Sequence, residues 1–146
     1  MTLRLDYAAA APEGLRALTA LYPYLAKTTL DPKLIDLVFL RVSQINGCAF
    51  CVDKHSSDLL GKGESQRRIN SLVTWHETPF FDARERAALA WAESLTRITE
   101  TRAPDADFAP LKAHFSDKEI ADLSFAIALM NGLNRIAIGF RRGPEA

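Results

Sequence analysis

The sequence predicts an all-α, single-domain helical bundle of about six or seven helices, and three observations lead there. Apolar residues recur at helical spacing along most of the chain, and helix-start signals stand at Pro12, Asp31, Asp82 and Ser116. No region shows sustained period-two alternation bounded by hairpin turns. At 146 residues with 48% apolar side chains, the length suits one domain with a substantial core.

The elements follow in order. Pro12 opens a first helix through "PEGLRALTALYPYLAK", where Leu15, Leu18, Leu21 and Leu25 share a face and Pro23 kinks or ends it. In "DPKLIDLVFLRVSQIN", Asp31 is the N-cap and Pro32 occupies the first helical position; Leu34, Leu37, Val38, Arg41, Val42 and Ile45 then form one broad face. Asn46-Gly47 breaks this helix, and the next begins at or just before Cys48 and runs to Gly61 and Gly63. "DARE" at Asp82 and "SDKE" at Ser116 each place a capping oxygen three residues ahead of a glutamate, which is the pattern of a capping box. The stretch "TETRAPDAD" between them reads as a surface loop, followed by a short helix at "FAPLKAHF".

Composition excludes several function classes. Lys plus Arg balances Asp plus Glu at 18 each, so no excess positive field favours nucleic acid or anionic lipid. Arg4, Asp6 and Glu13 interrupt the N-terminal apolar run, and Asn131, Asn134 and Arg135 interrupt the most apolar C-terminal stretch, so neither a signal peptide nor a membrane span is expected. A cytoplasmic protein is the expectation. In a reducing compartment, two cysteines three apart are poorly explained as a structural staple, so redox chemistry or metal binding comes first.

The stretch "QINGCAFCVDKH" carries that chemistry. With a helix beginning near Cys48, Cys51 follows one turn on and His55 one turn after that, so the three side chains share a face. Helical spacing of this kind sets the two cysteine Cα atoms roughly 5 Å apart, within the reach of a disulfide. An ordinary thiol, with a pKa of about 8.5, is largely protonated at neutral pH and needs activation. Free N–H groups at the helix start favour negative charge on sulfur near Cys48, while the His55 imidazole can take the proton of Cys51. Asp36, on the preceding helix, is the candidate to orient that imidazole.

The run "DLVFLRVSQINGCAFCVDKHS", with "ERAALAWAESLTRIT" and "SDKEIADLSFAIALMNGLNRIAI", resembles the AhpD-like alkylhydroperoxidases of the carboxymuconolactone decarboxylase superfamily. Their motif is a glutamate, eleven residues, then Cys-x-x-Cys-x-x-x-His. The resemblance implies Cys51 as the peroxidatic thiolate, Cys48 as the resolving cysteine and His55 as the proton relay. It further implies reduction of hydroperoxides without haem, flavin or metal, a dithiol or thiol-protein reductant, and a helical protomer assembled as trimers or hexamers. Two positions depart from the pattern. Asp36 stands where the family has glutamate, one methylene shorter, so its hydrogen bond to His55 is expected to be lost or bridged by water. Phe50 stands where the founding peroxidases carry a histidine between the cysteines.

These residues admit other readings. The cysteines could be small buried hydrophobes, or ligands with His55 of a zinc ion completed by Asp36, His76, His114 or another subunit. A redox sensor without turnover needs less machinery than a peroxidase. The lactone decarboxylase branch of the superfamily has no need of a redox dithiol. Arg41, on an apolar stripe, requires a partner if buried. Asn131 and Asn134 are expected to fix helix register by hydrogen bonding, Trp75 and Trp91 to be core or subunit-contact residues, and His76 and His114 to be structural. "GKGES" lacks the spacing of a phosphate loop and reads as a helix end followed by a helix start.

Overall fold

The computed structural model describes residues 2–144. They are all-helical, with ten α-helical segments: α1 (Tyr7–Ala10), α2 (Pro12–Thr19), α3 (Leu21–Leu25), α4 (Pro32–Asn46), α5 (Ala49–Gly61), α6 (Gln66–Ser71), α7 (Ala83–Thr96), α8 (Ile98–Thr101), α9 (Asp105–Phe108) and α10 (Asp117–Gly139). Two 3-10 helices, Leu72–Glu77 and Ala109–Ala113, follow α6 and α9 directly.

The segment number exceeds the six or seven expected, because several pieces are single turns too short to display an apolar period. The first helix is already interrupted at Ala20, before Pro23, and resumes as α3. Within the expected loop, α8 and α9 each form one turn around a left-handed pair, Arg102 (φ 59°) and Ala103 (φ 47°).

α4 organises the rest. Asp31 accepts a hydrogen bond from Lys33 N–H and Pro32 follows at the first position, as its sequence dictates. Every residue from Leu34 to Ser43 is buried, so this helix is enclosed on all sides by α5, α7 and α10. One flank, with Ile35, Val38, Phe39 and Val42, joins a core shared with Leu123, Ile127 and Met130 of α10. The other, with Leu37 and Leu40, packs on Leu59, Leu72, Trp75 and Leu89.

Several polar groups inside this core are matched. Arg41 donates from Nε to Glu93 Oε1 at 2.7 Å, supplying the partner its position demanded. Asn46 Nδ2 donates to both Asn131 Oδ1 and Asn134 Oδ1, at 3.0 and 2.9 Å, and Asn134 donates to Ser43 Oγ. These bonds pin the end of α4 to the middle of α10. Both capping boxes form, at Asp82 with Glu85 and at Ser116 with Glu119.

The turn between α4 and α5 sets up the site. Gly47 caps α4 in the left-handed conformation (φ 72°, ψ 32°), which costs glycine nothing. The chain therefore reverses within two residues and presents Cys48 as the N-cap of α5.

Candidate active site

Cys48 and Cys51 are bonded to one another, with their Cα atoms 5.3 Å apart. Both are buried, at 1% and 5% exposure, but they are not equivalent. Cys48 sits at the start of α5 with its Sγ accepting the Cys51 N–H at 3.3 Å. Cys51 lies within the first turn and lines a cavity of about 230 Å³, together with Phe50, His55, Tyr22, Met130 and Leu133; Cys48 does not line it. The helix start thus supports charge on the inner sulfur, while the outer sulfur meets the cavity.

His55 follows Cys51 on the same face of α5 and is buried. Its Nδ1 has no hydrogen-bond partner among the described residues. Two carboxylates stand just beyond bonding distance, Asp36 Oδ1 at 3.7 Å and Asp58 Oδ2 at 3.6 Å. The lost direct bond expected from the shorter Asp36 side chain is therefore what the geometry has. Asp36 is buried rather than on a solvated helix face.

Asp36 is held from the other side. Lys62 Nζ donates to Asp36 Oδ2 at 2.5 Å. Burial pushes the Asp36 carboxyl upward, but contacts with His55 and Lys62 and the Lys62 charge outweigh it and hold the group below its ordinary value of 3.8. Because His55 stands beyond hydrogen-bond reach, Lys62 is the stronger cause. Tyr22 moves the opposite way: burial, then the negative charges of Asp58 and Asp36, push its phenol up to about 12. It remains a proton-bearing group at any physiological pH.

A second cavity, of about 460 Å³, opens on Asp36, His55, Asp58, Lys62 and Tyr22. Tyr22, Lys54 and His55 line both spaces, so the imidazole stands between a carboxylate-rich chamber and the chamber containing Cys51. Among the described residues, the donors that come together as a metal could require are Asp36, His55 and Asp58, within 4.8 Å of one another. The cysteines are not in that group, and His76 pairs instead with Glu93 at 3.5 Å.

All four expected site residues, Cys48, Cys51, His55 and Asp36, converge between α4 and α5. Sequence reasoning missed Tyr22, Asp58 and Lys62. Asp58 and Lys62 continue the His55 face of α5, so extending the helical spacing by two turns finds them. Tyr22 comes from α3, and no local pattern announces it.

The model of the carboxymuconolactone decarboxylase family matches residues 12–94, which include α4, the cysteine turn and α5. The uncharacterized protein YdfG of Bacillus subtilis is 36% identical over 138 residues, 94% of each chain. The chain belongs to the carboxymuconolactone decarboxylase family. Within it, the structure of ATU0492 from Agrobacterium tumefaciens, a protein of unknown function proposed to be an AhpD antioxidant defence protein, superposes with a TM-score of 0.96 at 44% identity over 99% of both chains. The alkyl hydroperoxide reductase AhpD of Coxiella burnetii is 37% identical over 49 residues, 34% of this chain and 28% of its own. The AhpD-like branch of the family is thus where this chain's similarities lie. No helix among the described residues is long and apolar enough to cross a membrane.

Proposed function

We propose that the protein is a thiol-dependent peroxidase that reduces hydroperoxides through its Cys48–Cys51 dithiol. The observation that carries this reading is the asymmetry of the pair: Cys51 faces a cavity that His55 also lines, and Cys48 lies behind it within bonding reach.

The chemistry follows from those positions. His55 takes the proton of Cys51, and Asp36 and Asp58 stabilise the resulting imidazolium. The Cys51 thiolate attacks the terminal oxygen of the hydroperoxide; the O–O bond breaks, Cys51 becomes a sulfenic acid, and the alkoxide takes a proton and leaves as an alcohol. The Cys48 thiolate then attacks the Cys51 sulfur, forming the disulfide and releasing hydroxide, which is protonated to water. The dithiol loses two electrons and the peroxide gains them. A dithiol or thiol-protein reductant restores the pair by attacking Cys51, the sulfur at the cavity wall. Cys48 leaves as a thiolate, stabilised by the Cys51 N–H and the start of α5.

The similarity to an AhpD reductase supports this reading. A homo-oligomeric assembly, trimeric or hexameric, belongs to the same proposal; Phe125 and Ile138, exposed apolar residues of α10, are available to subunit contact. Activity in a reducing compartment such as the cytoplasm suits a dithiol cycle.

The test is to reduce the protein, remove the reductant, add one equivalent of cumene hydroperoxide, and follow peroxide loss with intact mass and thiol count. Loss of one peroxide with two thiols is expected, with C48S stopping at a trappable sulfenic acid and C51S inert. Free thiols and undiminished peroxide would overturn the reading and leave thiol exchange or redox sensing.

A further inference from the structure

We infer that the cavity in front of Cys51 is built for an amphipathic, anionic ligand: an organic hydroperoxide carrying a carboxylate, whose headgroup is held by Arg142. The inference deepens the peroxidase reading and rests on it for the reaction, though not for the binding.

The cavity is largely apolar. Leu15, Met130, Leu133 and Ala137 supply hydrocarbon on one side of Cys51. Two cationic side chains, Lys54 and Arg142, also line it, and among the described residues no carboxylate does. The two cations differ in availability. Lys54 Nζ is engaged by both oxygens of Asp58, at 3.1 and 3.0 Å. Arg142 makes no ion pair among the described residues.

Arg142 is nevertheless positioned. Its guanidinium stacks 4.0 Å over the Phe50 ring, and its Nη1 donates to the Tyr7 hydroxyl at 3.0 Å. Stacking and one hydrogen bond fix the plane of the group while leaving other N–H donors free, which is the arrangement that suits paired bonds to a carboxylate. Asp6 lines the adjoining hollow with Arg141 and Arg142, and its side chain caps α1 by accepting the Ala9 N–H. Phe50, the residue that replaces the histidine of the founding peroxidases, thus acquires a role as the platform for Arg142.

Size agrees. A cavity of about 150 Å³ takes benzene, so one of about 230 Å³ accommodates a chain such as an eight-carbon acid. Its hydrocarbon would lie along the apolar wall and its carboxylate at the rim.

Binding and turnover are tested separately. On the disulfide form, where no peroxide chemistry can occur, titration calorimetry compares octanoate with octanol for wild type, R142Q and R142K. Octanoate is expected to bind more tightly than octanol, to weaken roughly tenfold in R142Q, and to recover in part in R142K. On the reduced form, the kcat/KM ratio of hydroperoxy-octanoic acid to its methyl ester is expected to fall by a similar factor in R142Q. Equal binding of octanoate and octanol, or an acid-to-ester ratio untouched by R142Q, would overturn the inference. Arg142-dependent octanoate binding in a protein that consumes neither hydroperoxide would support the anion site and overturn the peroxidase reading instead.

Discussion

Asp36 lies between two neighbours at unequal distances: Lys62 Nζ lies 2.5 Å from one carboxylate oxygen, and His55 Nδ1 lies 3.7 Å from the other. The carboxylate is anchored by the lysine and reaches the histidine only electrostatically. This makes Lys62 part of the apparatus that keeps Asp36 charged beneath His55.

Replacing Asp36 with Asn removes that charge while keeping its size. Oxidation of reduced protein by a stoichiometric hydroperoxide should slow on the order of tenfold at neutral pH, and the pH at which Cys51 becomes reactive should rise. Stopped-flow oxidation across pH measures both. An unchanged profile would remove Asp36 from the mechanism.

The same carboxylate has a signature in acid stability. Its folded-state pKa is lowered, so its contribution is present above the unfolded value of 3.8 and disappears as pH falls through the lower folded value. Wild type should therefore lose stability relative to D36N as pH drops below about 4. Lys62→Met should reduce that difference, since it removes the nearer cation. Urea denaturation at a series of acidic pH values would show the two curves converging; parallel curves would rule out the linkage.

For His55, replacement by Ala should slow peroxide reduction at neutral pH by about a hundredfold, the usual contribution of a positioned base. The loss should diminish as pH rises towards the ordinary thiol pKa of about 8.5, because hydroxide then supplies the thiolate without help. Alkylation kinetics of Cys51 in C48S and in the C48S, H55A double variant provide the comparison. A rate deficit independent of pH would mean that His55 shapes the cavity without moving the proton.

Much of this site was legible from Asp31 to His55 because its information is local. Pro32 and Asp31 start one helix, Gly47 stops it, and the spacing of Cys48, Cys51 and His55 then orients three side chains without tertiary help. The capping boxes at Asp82 and Ser116 were equally local, and both formed. The contributions of Tyr22 and Arg142 depend on how distant segments close over α5, which no spacing rule reports. The one-turn helices α8 and α9 escaped for another reason. A single turn has no period, and the left-handed backbone at Arg102 and Ala103 occurs in residues that ordinarily avoid it.

The turn that presents Cys48 offers a prediction about backbone alone. A methyl group on Gly47 would meet no atom within 4 Å, so steric crowding is not at issue. The penalty comes instead from the left-handed φ of 72°, which glycine adopts freely and a residue with a Cβ does not. Gly47→Ala should cost about 1 kcal/mol of stability, read as a lowered denaturation midpoint with an unchanged slope. A neutral outcome would mean that the turn adapts, and the Cys48 N-cap would then be less rigidly placed than its geometry implies.

Arg41 and Glu93 present a harder case, because both charges are deep in the fold, with side chains 8% and 15% exposed. Burial pushes the Glu93 carboxyl upward, yet the Trp75 indole N–H at 2.8 Å and the Arg41 guanidinium at 2.7 Å outweigh it and keep the group ionised. Glu93→Ala strands Arg41 as an unpaired buried cation and leaves Trp75 Nε1 without its acceptor. The expected loss is about 3 kcal/mol or more. Replacing both members, Arg41→Met with Glu93→Gln, removes the charge and keeps an acceptor for Trp75, so much of that loss should be recovered. A double-mutant cycle by urea denaturation decides it. If the double variant is as unstable as Glu93→Ala, the ion pair contributes more than its partners' mutual neutralisation, and the packing of α4 on α7 depends on the Arg41 side chain itself.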